Sequence, residues 1–87
     1  MQVNYKTSGT CAAEISVEID GEQKIRAVKF TGGCGGNLQG ISKLVEGMKA
    51  RDAIEKLRGI TCGRKGTSCP DQLTYALEEA ISREINN

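Results

Sequence analysis

One run, Gly32-Gly33-Cys34-Gly35-Gly36, divides the 87-residue chain into two halves with different apolar periods. Before it, apolar residues alternate with polar ones. After it, they recur every three or four residues. The first period belongs to strands and the second to helices. A chain written this way makes a sheet first and covers it with helices afterwards, which predicts an α+β fold.

The strand half reads as three segments. Val3 and Tyr5 alternate with Gln2, Asn4 and Lys6 in a first strand. Ile15, Val17 and Ile19 alternate with Glu14, Ser16, Glu18 and Asp20, a strand with one wet face. Asp20-Gly21 opens a hairpin turn. The return strand, Lys24 to Thr31, carries Ile25 and Ala27 on one parity but Val28 and Phe30 on the other. A bulge near Ala27 would reconcile the two sets.

In the helix half, Asn37 is the expected N-cap of a first helix. Leu38, Ile41, Leu44, Val45 and Met48 follow at helical spacing, and Gly47 should end or weaken that helix. A short second helix is expected from about Arg51 to Leu57, burying Ala53, Ile54 and Leu57, with Gly59 closing it. Ile60 to Ser68 reads as a loop in which Arg64 and Lys65 are solvated. Pro70 suits the first position of a third helix, with Ser68 or Cys69 at its cap and Asp71 complementing the dipole. Leu73, Ala76, Leu77, Ala80, Ile81 and Ile85 form its apolar stripe. The expectation is one domain over residues 1–87, ordered β-β-β-α-α-α: a small three-stranded antiparallel sheet packed on about three helices.

The core available to such a fold is thin. Only 38% of residues are hydrophobic and only Tyr5, Phe30 and Tyr75 are aromatic. Chains of this size often gain from a staple or from oligomerisation. The net charge is +1 and the charges are interspersed, with neither a basic block nor an aromatic stacking platform, so nucleic acid is not an expected partner. No run of eighteen apolar residues is present, and no membrane span is expected. Met1 to Lys6 carries no apolar leader, which points to the cytoplasm and to reduced thiols.

Reduced thiols turn attention to Cys11, Cys34, Cys62 and Cys69. In a cytoplasmic chain they suggest metal, redox or catalytic use rather than a disulfide framework. The chain has no histidine, so a soft metal would rely on thiolates, and four of them suffice for tetrahedral zinc or an iron–sulfur cluster. Each cysteine falls at an element boundary. Cys11 precedes the second strand and Cys34 follows the third, so the hairpin should make them neighbours. Helix starts at Asn37 and Pro70 point partial positive charge at Cys34 and Cys69. Metal binding and thiol exchange both use the ionised sulfur.

The plainer reading of any one of these residues is a small buried hydrophobe, and Cys62 is as readily structural as ligating. No Cys-x-x-Cys pair is present. The glycine run around Cys34 could be a mere strand–helix turn, and it lacks the Lys-Ser/Thr ending of a phosphate loop. Asp71 reads as a dipole partner rather than a ligand.

Thr67-Ser68-Cys69-Pro70-Asp71 matches the signature for which the TSCPD domain family is named, and Gly32 to Asn37 and Cys62-Gly63 resemble that family's other motifs. The resemblance runs from Thr7 to Ile81. It implies a domain similar to a C-terminal region of adenosylcobalamin-dependent (class II) ribonucleoside-diphosphate reductases, which also occurs as small stand-alone proteins. A second, more distant resemblance is to U-type iron–sulfur scaffold proteins, with Cys11, Cys34 and Cys69 at the matching points. The scaffolds usually follow their first cysteine with Gly-Asp, whereas Ala12-Ala13 stands here, and Ser68 stands where some carry histidine. Cys62 would then complete an all-thiolate set, which favours a stable site over cluster transfer.

The expected function is therefore a small cytoplasmic domain that holds zinc or an iron–sulfur cluster through Cys11, Cys34, Cys62 and Cys69. It would be accessory to ribonucleotide reduction and DNA synthesis, with a ribonucleotide reductase or a redox protein as partner. No residue is assigned as catalytic. The alternatives are reductase activity assigned through the family and a thiol–disulfide relay between Cys62 and Cys69.

Overall fold

The computed structural model describes residues 1–7, 12–32, 35–61 and 66–86. Its elements are β1 (Gln2–Lys6), β2 (Ala12–Ile19), β3 (Ile25–Gly32), α1 (Gly35–Val45), α2 (Ala50–Leu57) and α3 (Cys69–Asn86). This is the expected β-β-β-α-α-α order. The strands form one antiparallel meander with β2 in the middle.

The alternation of β2 decides which face is dry. Ile15, Val17 and Ile19 are at most 1% exposed. On one side they face Tyr5 and Val3 of β1, and on the other Phe30, Val28 and Ile25 of β3. Ile25 pairs with Ile19 but Ala27 pairs with Glu18, so Arg26 is an extra residue on β3. This bulge brings Ile25, Val28 and Phe30 to one face despite their unequal parity and leaves Ala27 exposed. A second shift lies between Ala12 and Glu14. The hairpin turn is held by Asp20, whose Oδ1 accepts the N–H groups of Glu22 at 2.9 Å and Lys24 at 3.0 Å. These bonds, the one from Lys24 first, hold the Asp20 carboxyl below its ordinary value. The left-handed residue of the turn is Gln23, at φ 63°.

All three helices follow the sheet in the chain. α3 lays Leu73, Ala76, Leu77 and Ala80, all fully buried, against β2 and β1, and α2 packs along α3. α1 packs against β3. Between α1 and α2 the chain runs beside the start of β3: Ile25 N–H donates to Met48 O and Gly47 N–H to Ile25 O, both at 2.8 Å. Gly47 makes that reversal at φ +87°, a conformation glycine adopts at no steric cost.

The first helix departs from expectation in two ways. It begins at Gly35, so Asn37 is its third residue, exposed, and not the N-cap. Its buried side is Leu38, Ser42 and Val45, with Ile41 half-buried, while Leu44 is 78% exposed. Leu44 lies six residues from Leu38, about 240° around the helix, which takes it off the packed stripe. Ser42 is tolerated inside because its hydroxyl donates to Leu38 O at 2.9 Å. Ile85 likewise falls off the stripe of α3 at 62% exposure. Among the described residues no buried side-chain nitrogen or oxygen lacks a partner, and no helix is long and apolar enough to cross a membrane.

Candidate functional site

The start of α3 gathers most of the polar side-chain contacts that tie one element to another. Ser68 is the cap: its Oγ accepts the Asp71 N–H at 3.2 Å, and the first helical bond runs from Gln72 N–H to Ser68 O at 2.8 Å. Cys69 is then the first helical residue and Pro70 the second, one place later than expected. The shift carries no penalty, because first-turn N–H groups have no intrahelical partner for proline to forfeit. Ser68 Oγ also donates to Ile60 O at 2.6 Å, which ties the α2–α3 connector to the helix start.

Asp71 does more than oppose a dipole. It is 5% exposed, and both carboxylate oxygens reach back to the connector. Oδ1 accepts the Gly59 N–H at 2.7 Å and Oδ2 accepts the Thr67 hydroxyl at 2.5 Å. The Thr67 hydroxyl first, the Gly59 amide next and the Arg58 guanidinium last lower the Asp71 carboxyl, against the opposing effect of burial. Gln72 Nε2 in turn donates to Thr67 Oγ1 at 3.0 Å. Arg58 secures the end of α2 on the same helix. It donates to Thr74 Oγ1 at 3.1 Å and to Glu78 Oε2 at 3.0 Å, and its guanidinium lies 4.4 Å from the Tyr75 ring centroid.

Of the four candidate ligands only Cys69 falls within the described residues; Cys11, Cys34 and Cys62 lie outside them, as do Arg64 and Lys65. Cys69 is 6% exposed and clusters with Leu38, with Phe30 and Ile41 packed alongside. The start of α3 therefore meets the end of β3 and the first turn of α1. The chain neighbours of the other cysteines come to the same region. Ala12, next to Cys11, pairs with Gly32, two residues before Cys34. Gly35, next to Cys34, opens α1. Ile60, two residues before Cys62, is bonded to Ser68, next to Cys69.

Among the described residues no group of three or more histidines, cysteines, aspartates or glutamates could hold a metal ion. Both Asp71 oxygens are engaged, so the carboxylate is a connector tie and not a free donor. A soft-metal site here would be a thiolate site. Such a site needs sulfurs from separate chain segments brought within a few ångströms of one another. The ties made by Thr67, Asp71 and Arg58 had no signal in apolar periodicity. They are side-chain bonds across four to twenty positions, and the five-residue signature is the only hint of them.

The family model of the TSCPD domain matches residues 3–81, nearly the whole chain, and the protein belongs to that family. No curated protein and no solved structure matches it.

Proposed function

We propose that this TSCPD domain holds one zinc ion or iron–sulfur cluster on the thiolates of Cys11, Cys34, Cys69 and Cys62, and serves a partner enzyme of ribonucleotide reduction. The observation that carries the reading is the meeting of Ala12 with Gly32, of Cys69 with Leu38 and Phe30, and of Ile60 with Ser68. The chain has no histidine, and these contacts are made by Cys69 and by described residues one or two positions from the other three cysteines. Bound zinc would add folding free energy to a thin core, and a cluster would add electron transfer.

The test is elemental analysis and an absorption spectrum of anaerobically purified protein. Zinc or iron bound in stoichiometric amount, and lost in Cys34→Ser and Cys69→Ser, is the expected result. Protein that retains and takes up neither metal would overturn the reading. The accessory role is tested separately. The chain alone should form no deoxyribonucleotide with adenosylcobalamin and a dithiol, yet stimulate a purified reductase core in a manner those two variants abolish.

A thiol relay between Cys62 and Cys69 is the second reading. The Ser68–Ile60 bond favours it, because it ties Ile60, two residues before Cys62 in the chain, to Ser68, next to Cys69. Metal content separates the two readings.

A further inference from the structure

We propose that the free edge of β3 and the adjoining flank of α1 form a docking groove for an extended segment of a partner protein, one that alternates apolar and acidic side chains and adds to the sheet as a fourth strand. The proposal stands apart from the metal reading and uses none of its cysteines. Backbone direction locates the edge. The Met1 amino group donates to Ile19 O at 2.9 Å and the Ile19 N–H to Met1 O at 3.0 Å, so Ile19 turns its backbone polar groups toward β1. Direction alternates along a strand, so Val17 and Ile15 also bond β1 while Glu18 and Ser16 bond β3. Val28 and Phe30 stand opposite Val17 and Ile15, and their N–H and C=O groups therefore point outward, away from β2. β3 is an edge strand, and only its start, at Ile25, is bonded on the outer side, to Gly47 and Met48. Among the described residues no backbone group pairs with Val28 or Phe30 there. A row of unpaired backbone groups is a template for another strand.

The groove beside this edge selects the occupant. It has a volume of about 230 Å³, and Val28, Lys29, Phe30, Leu38, Lys43 and Glu46 contribute to its walls. One helical turn, about 5.4 Å long and 10–12 Å across, is larger than that, so an extended segment fits and a helix does not. A second copy of this chain fits poorly as well, because α1 packs on β3. Two copies joined antiparallel through β3 would set those strands about 4.8 Å apart. Their α1 helices would then crowd inside the roughly 8–10 Å that packed helices need.

Side-chain chemistry follows the same alternation. Residues of an added strand opposite Val28 and Phe30 would share the half-buried face of that pair, beside Leu38. The residue between them would stand next to Lys29 on the exposed face. The nearby cations already have carboxylates: Lys24 has Glu22, Arg26 has Asp20 and Lys43 has Glu46. Lys29 has no ion pair among the described residues. Opposite charges facing each other across strands attract, so the complement of Lys29 is an acidic residue flanked by apolar ones.

The test uses the full chain and a capped, fluorescently labelled peptide in which valine and glutamate alternate, with a second peptide carrying lysine in place of glutamate. Fluorescence anisotropy should show saturable binding of the glutamate peptide. Amide hydrogen exchange, followed by NMR, should slow at Val28 and Phe30 when it binds. Lys29→Glu should weaken the glutamate peptide about two- to fivefold and strengthen the lysine peptide by a similar factor, the effect of one cross-strand charge pair. Val28→Pro removes an outward N–H and no β2–β3 bond, and should weaken binding about tenfold. Lys29 is exposed, so its variant decides the matter if Val28→Pro does not fold. The inference is overturned by the absence of saturable binding, by binding that leaves the Val28 and Phe30 amides exchanging as before, by an equal loss of both peptides in Lys29→Glu, or by a folded Val28→Pro that binds as wild type does. Amides of Val28 and Phe30 already protected in the free chain would overturn it too, and protection that grows with chain concentration would assign the edge to a second copy instead.

Discussion

Ile25 faces Ile19 across the β2–β3 hairpin, and neither side chain is more than 1% exposed. Replacing Ile25 by alanine should cost about 2–5 kcal/mol in urea unfolding, the range for deleting a fully buried aliphatic side chain. Ala27→Ser, two residues later on the exposed face, should stay within about 0.5 kcal/mol of wild type. Equal effects at the two positions would contradict the bulge at Arg26.

Ser68 supplies both a helix cap and a donor to the connector. Ser68→Ala should destabilise the domain by about 1–2 kcal/mol, the upper half of the usual cost of a lost cap. Ser68→Thr keeps the hydroxyl and should recover most of it. A thermal or urea melt of the two variants side by side checks this, and identical midpoints for alanine and threonine would speak against the cap.

Two kinds of glycine should respond in opposite directions to alanine. Gly59 sits at φ +90°, where a side chain is strained, so Gly59→Ala should lower stability by about 1 kcal/mol. Gly40 lies inside α1 with nothing within 4 Å of an added Cβ, and Gly40→Ala should raise stability by about 0.5–1 kcal/mol. Loss of stability in Gly40→Ala would mean that α1 is packed more tightly around Gly40 than the structure shows.

The strand half was the more legible part of the chain. Alternation in β2 located the sheet, and the parity conflict between Ile25 and Phe30 located the bulge. Local pattern was less informative where propensity and packing disagreed. Gly35 and Gly36 look like a linker, so local pattern puts the cap at Asn37 and the first helical residue at Leu38, three residues after the observed start at Gly35. Leu44 reads as a core residue because it is apolar, although its angle around the helix takes it to solvent. The left-handed Gln23 has no chemical signature at all. Around the candidate site, Ser68 was legible as a cap because capping is local. The reach of Asp71 to Gly59 and Thr67 and of Arg58 to Thr74, Tyr75 and Glu78 was not, because those partners meet only after α2 folds against α3.

Asp20 gives the hairpin a dependence on acid. Its carboxyl is lowered by the Lys24 amide bond, then by the Glu22 amide and the cations Arg26 and Lys24, with burial opposing. A carboxyl lowered on folding contributes stability that is fully present above its unfolded value and is lost as pH falls through its folded value. Melting temperature should therefore decline with acidification below the ordinary carboxylate range, and Asp20→Asn should reduce that decline. An NMR titration of the Asp20 carboxyl with its midpoint above 3.8, the ordinary value, would refute the assignment.

Metal removal should register as lost stability if the cysteines form a filled site, since binding to the folded form alone adds to its free energy. A strong chelator should lower the melting temperature, and Cys34→Ser should lower it without chelator. Unchanged melting in both cases would mean that the cysteines are not a structural site.

Of the thirteen residues in the main buried cluster among the described residues, five come from α3: Leu73, Ala76, Leu77, Ala80 and Ile81. This has a consequence during synthesis. The meander is complete once β3 has been made, but the helix that covers β1 and β2 ends more than fifty residues later. At a translation rate of roughly 5–20 residues per second, the nascent sheet would wait about 3–10 seconds with its apolar face bare. A ribosome stalled between β3 and α3 would thus present a sticky, half-made domain, and it is in that interval that a chaperone has most to offer this chain.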